Sequence, residues 1–74
     1  MNKQRRKSIS DNIKLLEDIK NNLEDILSDE EMYFDNMPEN LQGSIRGEES
    51  ETAIDILSTS IDELGSIIDS LNEI

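Results

Sequence analysis

Apolar residues recur at helical spacing in two stretches of the chain, separated by a segment that breaks the pattern. In the first, "SISDNIKLLEDIKNNLEDILSDEEMYFDNM", Ile9, Leu16, Leu23 and Met37 share heptad position a. Ile19, Ile26 and Tyr33 share d, and Ile13, Leu27 and Phe34 share e, with breaks at Asn12, Lys20 and Glu30. An apolar stripe three positions wide predicts an amphipathic helix that packs on more than one neighbour. Ser8 or Ser10 is expected to cap its start, because a hydroxyl there accepts a hydrogen bond from an early backbone N–H. Met37 precedes Pro38, which excludes helical angles at that residue, so the helix should end near Asp35 or Asn36.

The second stretch, "ESETAIDILSTSIDELGSIIDSLNEI", is cleaner. Ile54, Ile61 and Ile68 fall on a, and Leu57, Leu64 and Leu71 on d, while Ala53, Ile67 and Ile74 widen the stripe at g. Ile at a with Leu at d suits close helix pairing, so these six residues are the candidate oligomer interface. Gly65 either permits close approach by another backbone or is incidental, the second being the preferred reading. Both helices are about 40 Å long, at roughly 28 and 26 residues. The expected fold is all-α: a two-helix antiparallel hairpin, coiled-coil-like, with helices over 8–35 and 48–73 and a connection over 36–47. Residues 1–7 are expected to form a flexible basic arm. Two helices alone would leave Leu15, Leu27, Ile56 or Ile67 partly wet. Either self-association or docking of one hairpin on a target protein relieves that, and a homodimer in which two hairpins form a four-helix bundle is the first expectation.

The connection is longer than the two to eight residues usual between bundle helices. Pro38 with Glu39, Asn40 and Leu41 can form one helical turn, Pro occupying the first position, where no N–H is needed. Leu41 would fold back beside Tyr33, Phe34 and Met37. Gly43 then supplies a turn and Ser44 can cap a second helix starting as early as Ile45, though Gly47 at a and Ser50 at d would pack weakly. Residues 33–50, the connection with its flanks, hold the only Tyr, Phe and Pro of the chain and its only Arg beyond the N-terminus. Tyr33, Phe34, Met37, Leu41 and Arg46 are therefore candidate partner-binding residues, since aromatics and Arg are favoured at binding hot spots. They serve equally as a cap over the open end of the hairpin.

Composition narrows the chemistry. Hydrophobic residues make up 34% and aromatics 3% of 74 residues, which makes an isolated fold marginal. There is no His and no Cys, no Gly-rich phosphate loop and no nucleophile elbow, so no enzyme is expected. Asp29, Glu30, Glu31 and Asp35 cluster without a calcium-loop spacing, so neither metal nor cofactor is expected. No apolar run approaches the roughly 18 residues of a membrane span, and the chain reads as cytoplasmic.

The net charge of -11 is unevenly placed. Lys3, Arg5, Arg6 and Lys7 carry four of the seven positive charges with no acid among the first ten residues, whereas from Asn21 onward Arg46 stands alone against 15 acids. Such a surface disfavours direct contact with nucleic acid or anionic membrane and favours a basic partner. The basic arm is expected to pair with the acidic second helix of a partner subunit. Asp55, Asp62 and Asp69 recur every seven residues as a candidate acidic face. Seven helical residues advance about 10.5 Å against about 3.4 Å between phosphates of one DNA strand. Acids of the first helix (Glu17, Asp18, Glu24 and Asp25) would shorten that spacing, which keeps an acidic DNA mimic among the readings.

The run "EEMYFDNMPENLQGSIRGE", followed by "AIDILSTSIDELGSIIDSL", resembles small acidic helical-hairpin proteins of phages and mobile elements of Gram-positive bacteria. Tyr33 and Phe34, Asn36, Pro38, Glu39, Asn40, Leu41, Gln42 and Ser44 carry the resemblance, which spans roughly residues 30–70. The many Ser residues of the second helix depart from that pattern, which has Glu and Ala there. The resemblance implies a helical hairpin in a bacterial host cell but no activity. The expected function is a non-enzymatic protein-binding module, such as an inhibitor of a host defence nuclease. The alternatives are a self-assembling structural subunit and the DNA mimic.

Overall fold

The computed structural model describes all 74 residues and is all-helical. Helix α1 spans Lys3–Asp35, a single turn α2 spans Glu39–Gln42, and α3 spans Ile45–Asn72. Helices α1 and α3 lie side by side and antiparallel in a rod of 58 × 15 × 13 Å. The bond between Glu30 and Ser50 and the approach of Lys20 to Gly65 set the register.

α1 starts earlier than its apolar stripe. Lys3–Lys7, expected to be a flexible arm, are helical because Asn2 takes the capping role assigned to Ser8 or Ser10. Asn2 Oδ1 accepts the Arg5 N–H at 2.8 Å, and Lys7 pairs with Asp11 one turn on, at 3.0 Å. Ser8 instead donates back to the Gln4 carbonyl inside the helix. α1 ends at Asp35, with Met37 and Pro38 outside it. The connection is shorter than 36–47 because α3 begins at Ile45 rather than 48, capped by Ser44 Oγ, which accepts the Gly47 N–H at 3.3 Å.

The seam between the helices takes a and e of α1 (Ile9, Ile13, Leu16, Leu23, Leu27, Phe34) against a and d of α3. Position d of α1 is not in it: Ile19, Ile26 and Tyr33 are exposed. A single partner helix covers only about a third of a helix circumference, so one edge of a three-position stripe stays outside. Ile61 and Ile68 are the only buried hydrophobic residues, each 7% exposed. The polar breaks in the stripe are accommodated individually. Glu30 accepts a hydrogen bond from Ser50 Oγ at 2.6 Å, and Lys20 lays its stem over Gly65 and pairs with Glu24 at 3.1 Å.

No helix is long and apolar enough to cross a membrane.

Candidate interaction surfaces

The tip is built by side chain to backbone bonding. Gln42 Nε2 donates to the carbonyls of Phe34 (3.3 Å) and Met37 (3.1 Å), tying α2 to the C-terminal end of α1. The Phe34 carbonyl also accepts the Met37 N–H at 3.1 Å, so Gln42 adds a second donor there and supplies one to the Met37 carbonyl just past the helix end. Ser44 Oγ donates to the Leu41 carbonyl while capping α3. Behind them α3 passes under α2 so closely that a Cβ on Gly47 would collide with the Gln42 backbone. Gly47 and Ser50, expected to pack weakly, are therefore among the best-buried residues of the chain. Gly43 has φ -84° and open space around it, so its turn makes no demand for glycine.

The tip presents an open concavity of about 540 Å³, lined by Tyr33, Asn36, Met37, Pro38, Leu41, Ser44 and Arg46. Four of the five candidate partner-binding residues (Tyr33, Met37, Leu41, Arg46) thus come together. Phe34 does not join them: it is half-buried and turned toward the opposite side, beside Glu31, Glu51 and Ile54. One residue of helix rotates the side chain by about 100°, which separates Tyr33 from Phe34. The two ion pairs of the chain are Lys7–Asp11 and Lys20–Glu24, so Arg46 is unpaired. Gln42, which anchors this end, is marked in the sequence only by its place after the Pro38 turn and within the segment that carries the resemblance.

The rod has two broad faces of opposite character. On one, Glu31 and Asp35 lie beside Glu51 and Asp55, and Glu17 lies beside Asp69. The heptad repeat places Glu24 with Asp62 in the same row, so the candidate acidic residues Asp55, Asp62 and Asp69 are joined by a parallel row from α1. No group of three acids there converges closely enough to hold a metal ion. On the other face, Leu15 (59% exposed), Ile19 and Ile26 (52%) of α1 line up with Ile56 (60%) and Ile67 (49%) of α3. Three of the four residues expected to stay wet are so; Leu27 is half-buried in the seam.

The six candidate oligomer-interface residues lie between the two helices of the hairpin. Ile54, Leu57, Ile61, Leu64, Ile68 and Leu71 are buried or half-buried along the seam with α1. These residues hold the hairpin together, and the apolar surface left over lies on the broad face beside them.

Compared with protein families, with curated proteins and with solved structures, the chain matches none.

Proposed function

We propose that this chain is a non-enzymatic protein-binding module: a two-faced hairpin that pairs with its own kind into a four-helix bundle and offers its acidic face to a basic protein of a bacterial host. The segregation of side chains carries this reading. Apolar groups left over from the seam collect on one broad face, and two rows of carboxylates run along the other. Covering the first removes apolar area from water, while the second attracts cationic surfaces over about 10 Å at moderate ionic strength. The likeness of the tip segment to proteins of phages and mobile elements supports a host protein as target and stoichiometric inhibition as the role.

The test is capture from a Gram-positive lysate with the intact chain and with Asp55→Lys, Asp62→Lys and Asp69→Lys combined. The reading predicts a stoichiometric partner that the charge-reversed chain loses. Unchanged capture by the reversed chain would sink it. Competition by duplex DNA for the same partner would turn the acidic face into a DNA mimic.

A second reading has its own support, the tip concavity with its unpaired Arg46. Recognition there predicts that Tyr33→Ala with Arg46→Ala abolishes capture while helicity survives. Capture that persists in this variant would dismiss it.

A further inference from the structure

The exposed surface of the chain is 5702 Å². A self-contained monomer of 8.4 kDa exposes about 4,600 Å². Its radius of gyration is 17.0 Å, against about 11 Å for a compact domain of this length. The excess of about 1,100 Å² is comparable with the area that each member of a standard interface contributes, about 800 Å². One broad face of a 58 × 15 Å rod supplies such an area.

The apolar face is patterned along both helices. Ile19, Ile26 and Tyr33 follow one another at seven-residue steps on α1, and Arg46, Ala53, Ser60 and Ile67 do so on α3. The carboxylate rows on the other face are turned away from it. A chain with net charge -11 can therefore approach a second copy here with its densest charge directed outward.

Charge also sets the direction. The tip, residues 29–51, carries eight acids against Arg46. The opposite end, residues 1–14 and 68–74, carries five bases and three acids. Two copies with their tips together would bring the two acidic ends into contact. Two copies with tips at opposite ends lay each basic end along a partner's acidic tip, which lowers the electrostatic energy.

We propose that two copies pack apolar face on apolar face about a two-fold axis with their tips at opposite ends, α1 antiparallel to the partner's α1 and α3 to the partner's α3. The axis passes between Ile19 and Ile26 on α1 and near Ser60 on α3, so Ile19 of one copy meets Ile26 of the other and the two Ser60 residues face each other. Ser60 has a short side chain, which lets the two α3 helices approach closely. The basic first turns of α1, Lys3 to Lys7, then lie along the tip of the second copy and cover part of its concavity. This rests on the self-pairing proposed above and adds the face, the direction and the residues on the axis.

Four variants of the full chain test it, with mass in solution measured at tens of micromolar. The intact chain should run at twice 8.4 kDa, and Ile19→Glu with Ile26→Glu at 8.4 kDa with its helicity kept. The chain has no Cys, so an introduced one reports a single position. Ser60→Cys should oxidise to a covalent dimer in high yield, because a disulfide requires Cα atoms within about 7 Å. An equal mixture of Ile26→Cys and Ala53→Cys should give little mixed dimer. A monomeric intact chain overturns the self-pairing itself. A dimer that survives the Glu substitutions overturns the face. A dimer that cross-links Ile26→Cys to Ala53→Cys but not Ser60→Cys keeps the face and overturns the direction, placing the tips together.

Discussion

Replacing Gly47 and Gly65 by Ala, one at a time, separates two glycines that look alike in the sequence. Both sit inside α3, and Ala raises helix propensity at each by up to about 1 kcal/mol. Their surroundings differ. A Cβ on Gly65 would meet Lys20 Cε at 3.5 Å, an ordinary contact with the end of a flexible side chain. A Cβ on Gly47 would lie 2.5 Å from the Gln42 carbonyl carbon and closer still to its oxygen. Relief requires α2 to retreat by about 1 Å, a carbon–carbon contact being about 3.5–4.0 Å at rest. The two bonds from Gln42 Nε2 already span 3.1 and 3.3 Å, and that retreat takes them out of range. Their loss at about 1 kcal/mol each, with the residual strain, outweighs the propensity gain. Gly47→Ala should therefore be destabilised by about 1–2 kcal/mol, and Gly65→Ala stabilised by about 0.5–1 kcal/mol. At about 4–8 °C per kcal/mol the two Tm values should lie on opposite sides of the parent. Melting followed by circular dichroism at 222 nm, at one fixed concentration, reads this directly. Equal increases in Tm would refute the close passage of α3 under α2.

Gln42→Ala should lower Tm through the same two carbonyls, by about 1–2 kcal/mol, with amide exchange quickening around Phe34 and Met37 first. Ser50→Ala leaves the half-buried Glu30 carboxylate without its donor and should cost about 1–2 kcal/mol; adding Glu30→Leu, which completes the apolar seam, should restore more than was lost in the same melts. Asn2→Ala removes the cap of α1 and should fray Lys3–Lys7 without moving Tm by more than about 1 kcal/mol, visible as faster exchange confined to the first two turns.

The two helices, their antiparallel pairing and the Pro38 turn were legible because each rests on local chemistry: periodicity, the restriction before proline, a hydroxyl ahead of a helix. The seam of α3 was legible for the same reason, since a and d there are Ile and Leu without exception between Ile54 and Leu71. Helix α1 offered three apolar columns, and nothing local selects which two face α3. That choice follows from the rotation at which Glu30 reaches Ser50 and Lys20 clears Gly65, contacts between residues 20 and 45 apart. Long-range pairs of this kind carry no signature in either partner alone. The same holds for Gly47, whose role is defined by a backbone five residues upstream that approaches only after the tip has folded. The start of α1 was misplaced because Asn2 caps it outside the apolar stripe, where the propensity of Lys, Gln and Arg and the Lys7–Asp11 pair sustain the helix.

The exposed face has a thermodynamic consequence that distinguishes a self-sufficient hairpin from one completed by a second copy. With Ile61 and Ile68 as its only buried hydrophobic side chains, the isolated chain has little to oppose the entropy of ordering 74 residues. If pairing supplies the balance, folding and association are one equilibrium, and stability rises with concentration by mass action. A hundredfold increase in concentration is worth about 2.7 kcal/mol per dimer, since each tenfold step is about 1.4 kcal/mol. Two chains melting together have an unfolding entropy of about 0.3 kcal/mol per kelvin at roughly 2.1 cal/mol/K per residue. Tm should therefore climb by about 9 °C between about 5 and 500 µM. Ile19→Glu with Ile26→Glu should abolish that climb and lower Tm at every concentration, because it removes the association without touching the seam. A Tm independent of concentration in the intact chain would refute the coupling and assign the whole stability of the fold to the α1–α3 seam.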